Sequence, residues 1–210
     1  MNPSNSKKPK IAVLVSGGGR SLVNLCEKIE AGELDCEIAL VLSDRGEIGA
    51  LDHARERGID TVVLPRKSFE TDASFSRAVF EEIEGRGAQF VVLAGFLRLL
   101  LIPEPWLGRA INIHPALLPA FGGPGYYGQR VHRAVLKEGV PHTGCTVHYV
   151  TNEYDAGPIL LQRSIEVAPT TDEHKLAARV FQEEKLALPE AIRRHLCGEV
   201  FWRDGRAVCR

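Results

Sequence analysis

The sequence predicts an α/β protein: a mostly parallel, twisted sheet with helices on both faces, in a single domain. Short β-branched runs alternate with longer stretches of helical periodicity, and those runs are apolar at successive positions rather than alternate ones, as strands covered on both faces are. Composition agrees: of 210 residues, 44% are hydrophobic and 25% charged, with 20 Gly and 12 Pro, close to the averages of a folded globular domain. A chain of this length buries about 70% of its unfolded surface, which supports one sizeable core.

In chain order, the strand-like run Ile11 to Val15 leads into a helical pattern over Leu22 to Ala31, and Glu37 to Leu42 leads into Ile48 to Arg57. Ser43-Asp44 precedes that second helix and Gly58 follows it, as N- and C-terminal signals do. Thr61 to Leu64 is a third strand. Thr71-Asp72 and Gly85 bracket a third helix, Asp72 to Gly85, before strands at Phe90 to Ala94 and Ala110 to Ile113. Beyond Ile113 the rhythm changes to a Gly/Pro-rich loop, Leu118 to Gly128, and a short helix near Arg130 to Glu138. Two further strands follow, Cys145 to Val150 and Ile159 to Val167, then a long helix, Asp172 to Leu196. Val200 to Trp202 and Ala207 to Cys209 form a terminal hairpin. Residues 1–9 read as a flexible polar tail and 10–210 as the domain, with no internal repeat.

Charge and cysteine usage narrow the function. Twenty-six Lys and Arg against 27 Asp and Glu leave a net charge of -1, so the field that concentrates a nucleic-acid backbone is missing. The five cysteines are widely spaced, without a C-x-x-C pair, and suggest neither a zinc site nor a disulfide scaffold. The N-terminus lacks the apolar core of a secretory signal, and the greasiest run, Phe90 to Pro103, carries Arg98 and is too short for a membrane span. A cytoplasmic protein without nucleic-acid or membrane partners is expected.

Four constellations bear on chemistry. The first turn, Ser16-Gly17-Gly18-Gly19-Arg20-Ser21, lets backbone approach a ligand closely and offers the free amides of a helix N-terminus to an anion, with phosphate the natural guest. It matches neither G-x-G-x-x-G nor the Walker pattern, and a plain tight turn is the alternative. In Asn112-Ile113-His114-Pro115, residues two apart on a strand share a face, so an amide and an imidazole converge. Pro115 holds His114 out of helical geometry at the strand's carboxyl end, where open α/β sheets bind ligands. Asp155-Ala156-Gly157-Pro158 reads as a turn between strands, and His148 just before it is either a site residue or an exposed strand residue. Finally, Leu97-Arg98-Leu99-Leu100 continues an apolar strand into an apolar loop that either lines a flat pocket or belongs to the core. Arg98 there needs a carboxylate, a carbonyl or a ligand.

In this order and spacing these segments resemble the glycinamide ribonucleotide formyltransferase family over about residues 10 to 202. The motifs are Leu93-Ala94-Gly95-Phe96-Leu97-Arg98, Ile111 to Pro119, Thr143 to His148, and Asp155 to Ile159. The resemblance implies a Rossmann-like formyltransferase fold and transfer of a formyl group from 10-formyltetrahydrofolate to the amine of 5-phosphoribosylglycinamide. Asn112, His114 and Asp155 would be the catalytic triad: Asn112 and a protonated His114 facing the developing oxyanion, Asp155 keeping the imidazole cationic near neutral pH. No metal is implied.

The phosphate would be held at Gly18, Gly19, Arg20 and Ser21, in the N-terminal half. Arg20 and Ser21 replace the family's short polar residue and Asn, so backbone amides rather than these side chains are expected to do the holding. A Gly19→Val change is expected to raise KM by clashing with phosphate. The pterin would rest against Leu97, Arg98, Leu99 and Leu100 beside Asn112, with the C-terminal half supplying the folate side. Loop 121–128 is expected to be a substrate flap, with a long surface turn as the alternative, and the protein a monomer or homodimer. The rivals are another formyl-folate enzyme, a tRNA-directed transferase or a hydrolase, for whose extra domain the chain is expected to have no room, and a non-catalytic phosphate-binding module.

Overall fold

A computed structural model describes residues 8–168 and 171–210. The first half is β1 (Lys10–Val15), α1 (Arg20–Glu30), β2 (Glu37–Ser43), α2 (Gly49–Glu56), β3 (Thr61–Val63), α3 (Asp72–Gly85), β4 (Phe90–Leu93) and β5 (Ala110–His114). The second is α4 (Gln129–Glu138), β6 (His142–Tyr149), β7 (Ile159–Glu166), α5 (Glu173–Leu196) and the hairpin β8 (Val200–Arg203) and β9 (Arg206–Cys209). These elements fall where the sequence places them to within a few residues. Two short 3₁₀ segments, Arg66–Ser68 and Glu104–Trp106, were not expected. Of the expected tail, residues 1–7 lie outside the described residues, while the Pro9 carbonyl accepts from the Glu37 amide at the edge of β2.

The seven-stranded sheet runs β3-β2-β1-β4-β5-β6-β7, parallel from β3 through β5 and antiparallel at β6 and β7. Alternation along β1 feeds two cores. Ile11, Val13 and Val15 pack with α1, α2 and α5 residues such as Leu22, Leu25, Leu51 and Leu188 on one face. Ala12 and Leu14 meet Phe75, Val79, Phe80 and Ile83 of α3 on the other. Burial on both faces explains why those strands read as continuous apolar runs.

Pro189 sits inside α5 and has no N–H for the Lys185 carbonyl, one turn back. Asn24, buried on α1, donates to that carbonyl at 3.0 Å. A core asparagine thus repairs a break made by a core proline and ties α1 to α5.

The chain leaves β1 toward β2 and β3 on one side and returns to β4 and β5 on the other. The carboxyl ends of β1 and β4 therefore border the crevice where strand order reverses, the usual ligand position in open α/β sheets.

Candidate active site

That crevice opens into a cavity of about 620 Å³. One wall is the turn after β1. Gly19 has φ 81 and stands at the N-cap of α1, which has no side-chain cap and no acidic residue in its first turn. The first helical amides are left without intrachain acceptors, and Gly18, Gly19, Arg20 and Ser21 all line the cavity, an arrangement suited to an anion. Gly19 also serves packing: a Cβ there would lie 2.6 Å from the Ala50 Cα on α2. The expected effect of Gly19→Val is corrected accordingly, because α2 and the positive φ, ahead of any phosphate, exclude a side chain.

The turn is stitched to the segment after β4. The Ser16 amide donates to the Gly95 carbonyl at 3.1 Å, and the Ser16 hydroxyl accepts from the Leu97 amide at 3.0 Å and donates to Asp44 Oδ1 at 2.5 Å. Asp44 Oδ2 accepts from Arg98 Nε at 2.6 Å. The requirement for a partner to Arg98 is met by this buried carboxylate from the end of β2. Leu97 lines the large cavity, and Arg98, Leu99 and Leu100 line a smaller one beside it, with Asn112, His148 and Asp155.

The centre is built on the β5–β6 register, which sets Asn112 opposite His148 and His114 opposite Thr146. His148 Nδ1–H donates to the Tyr149 carbonyl at 2.9 Å, leaving Nε2 as acceptor for Asn112 Nδ2 at 3.1 Å. Of its two readings, His148 takes the site one. Asp155 arrives from the β6–β7 loop with φ 53, a left-handed conformation that Asp tolerates better than most residues. Gly157 permits the approach, since a Cβ there would overlap the Tyr149 carbonyl oxygen. Asp155 Oδ1 accepts from Asn112 Nδ2 at 3.4 Å and lies 3.6 Å from His148 Nε2. Its Oδ2 accepts from the Gly123 amide at 2.9 Å and lies 3.6 Å from His114 Nδ1.

His114 Nε2–H donates to the Phe121 carbonyl at 2.8 Å. Loop 121–128 is thereby anchored at both ends of the His114–Asp155 pair and forms part of the cavity wall. The segment after His114 is fixed from β6: Thr146 Oγ1 donates to the Ala116 carbonyl at 2.7 Å and accepts from the Leu118 amide at 3.0 Å.

Burial pushes the His114 pKa down and outweighs the neighbouring Asp155 and the Phe121 carbonyl, which both act to raise it. This corrects the expectation of a cationic His114 near neutral pH: in the unliganded protein desolvation wins, and the ring is held toward its neutral form. For Asp155, burial is the largest single effect and acts upward, yet the neighbouring His148 and His114 rings and the Gly123 amide together hold it below the usual range. The centre pairs an ionised carboxylate with a neutral imidazole able to take up one proton.

Sequence reasoning missed two cavity residues. Glu184 on α5 is half-buried, and desolvation pushes it up to about 7 against the opposing pull of Arg20. His132 on α4 is buried in the wall. Neither carries a local motif; only the packing of α4 and α5 over the turn brings them in. Arg20 leans the same way, its guanidinium 4.2 Å above the Phe181 ring.

A doubly covered α/β sheet with an Asn, two His and an Asp converging at its switch point, beside an uncapped helix N-terminus, defines a group-transfer type of site rather than a bare anion-binding turn. The sequence profile described as formyl transferase matches residues 9–192, and the chain belongs to the formyl transferase family. It is 36% identical over 202 residues to the chloroplastic phosphoribosylglycinamide formyltransferase of Arabidopsis thaliana, covering 94% of this chain and 69% of that one. It is 32% identical over 206 residues to the phosphoribosylglycinamide formyltransferase of Escherichia coli (strain K12), covering 94% and 95%. Glycinamide ribonucleotide transformylase 1 from Symbiobacterium toebii superimposes with a TM-score of 0.91 at 33% identity, over 100% of this chain and 98% of that one.

Proposed function

We propose that this chain transfers the formyl group of 10-formyltetrahydrofolate to the amine of 5-phosphoribosylglycinamide, a step of purine synthesis. The observation that carries the reading is the meeting of Asn112, His114 and Asp155 between an anion-suited turn and an apolar cleft, in a chain of this family.

The amides of Gly19, Arg20 and Ser21 hold the phosphate, and Arg20 adds positive charge. The segment Leu97–Leu100, three of whose four side chains are leucine, lines the cleft beside Asn112, which suits a flat pterin ring; when bound, the folate supplies an activated formyl carbon. As the amine attacks that carbon, the formyl oxygen gains negative charge, and the Asn112 amide is the donor beside it. Its 3.4 Å bond to Asp155 is long, so one N–H can turn to the oxyanion at little cost. His114 takes the proton that the amine loses and returns it to the departing nitrogen. Asp155 stabilises the imidazolium formed in between, and His148 fixes the Asn112 amide. The scheme invokes no metal.

Among the described residues no helix is long and apolar enough to cross a membrane. Five cysteines without a disulfide fit a reducing, cytoplasmic location.

The test is the absorbance change on deformylation when purified protein meets 10-formyltetrahydrofolate and the ribonucleotide. Turnover that requires both substrates is expected. Folate loss without the amine would make the protein a hydrolase, and no turnover by folded protein would leave a phosphate-binding module.

A further inference from the structure

His132 has no part in the scheme above. It lies on α4 with 4% exposure, its ring forms part of the cavity wall, and its Nδ1 is buried without a hydrogen-bond partner. Folded proteins rarely leave a buried polar atom unpaired without a functional reason. Desolvation pushes its pKa down to about 4, with Arg20 and then His114 adding to the effect, so the ring is neutral at physiological pH.

A neutral imidazole carries a single N–H. An idle lone pair in a protein interior is less unfavourable than an N–H with no acceptor, which assigns the proton to Nε2, the nitrogen left for the cavity. His132 lines the same cavity as Arg20, at the anion-suited turn, and His114, at the centre.

We propose that His132 is a substrate-binding residue whose Nε2–H donates a hydrogen bond to an acceptor oxygen in the part of the ribonucleotide that joins its phosphate to its reacting amine. The inference rests on the ribonucleotide reading above and deepens it. Removing a buried group that has no protein partner should leave the fold as stable or more so, whereas removing a structural histidine should weaken it.

The test uses His132→Leu, which removes the donor, and His132→Gln, which keeps an N–H near the same place. Ribonucleotide and inorganic phosphate binding are measured by calorimetry, and KM for both substrates is read alongside thermal melting. For His132→Leu the expected result is ribonucleotide binding weaker by about 5- to 10-fold, the loss typical of one hydrogen bond, with Tm unchanged or raised. His132→Gln should recover most of the affinity, and inorganic phosphate binding and the formyl-folate KM should stay within about twofold. Unchanged ribonucleotide binding, a lowered Tm with unchanged binding, or an equal loss for inorganic phosphate would each overturn the assignment. An inactive wild type that still binds ribonucleotide through His132 would refute the catalytic reading alone; one that does not bind it would refute both.

Discussion

Asp155→Asn tests the division of labour at the centre. The substitution keeps shape but removes the charge that stands 3.6 Å from His114 Nδ1. At that separation, with an effective dielectric of about 20, Coulomb's law gives roughly 4–5 kcal/mol for full charges. Since His114 carries a full charge only late in proton transfer, about two-thirds of that is the effect expected on the barrier, and kcat should fall by about 100- to 300-fold. The side chain also has fewer acceptors: one amide oxygen cannot serve both the Gly123 amide and Asn112 Nδ2, each of which Asp155 now accepts from. Loop 121–128 should loosen as a result. The anion-suited turn shares no hydrogen bond with Asp155, so the ribonucleotide KM should change by no more than about threefold. Steady-state rates with both substrates, alongside circular dichroism to confirm folding, make the measurement. A kcat within tenfold of wild type together with a tenfold rise in ribonucleotide KM would show that Asp155 binds substrate rather than supporting proton transfer.

Acid should weaken the fold through His132 and His195, both pushed down to about 4 mainly by burial. The unfolded chain takes up these protons first, near pH 6.5, so stability is present above that value and lost as pH falls toward 4, by up to about 3 kcal/mol per ring; urea midpoints at pH 7, 5.5 and 4.5 would reveal a flat profile if the reasoning is wrong. Asn24→Ala should destabilise by about 1–3 kcal/mol by orphaning the Lys185 carbonyl, and the loss should shrink in a Pro189→Ala background that restores the helical donor, as a double-mutant cycle by urea titration would measure. Asp44→Ala should cost about 1–3 kcal/mol, less than a fully buried pair because the Arg98 side chain is 41% exposed, and should raise KM for both substrates, since Asp44 holds both Ser16, which leads into the glycine turn, and Arg98, in the segment proposed for the pterin; an effect on one KM alone would argue against the shared anchor.

Alternating apolar runs and helix-end residues were enough to locate every strand and α-helix, because backbone periodicity and capping are local properties. The glycine turn, the shared face of Asn112 and His114, and the need of Arg98 for a partner were legible for the same reason. The identity of that partner was not: Asp44 lies 54 positions away, and only the parallel pairing of β1 with both β2 and β4 brings the two together. Nothing along the chain links Asn24 to Pro189; only packing sets the Asn24 amide on the Lys185 carbonyl that the proline leaves without a donor. His148 was ambiguous until the β5–β6 register set it against Asn112. The largest departure concerned charge. A carboxylate beside a histidine predicts a raised pKa when only the pair is considered, but desolvation depends on how much protein surrounds the ring, and the fold buries His114 deeply enough to reverse the sign. Sequence determined what depends on neighbours along the chain, namely the elements, their ends and the kinds of group available. Tertiary structure alone decided which distant groups meet and how far water is excluded from them, because both are sums over contacts that chain order does not encode.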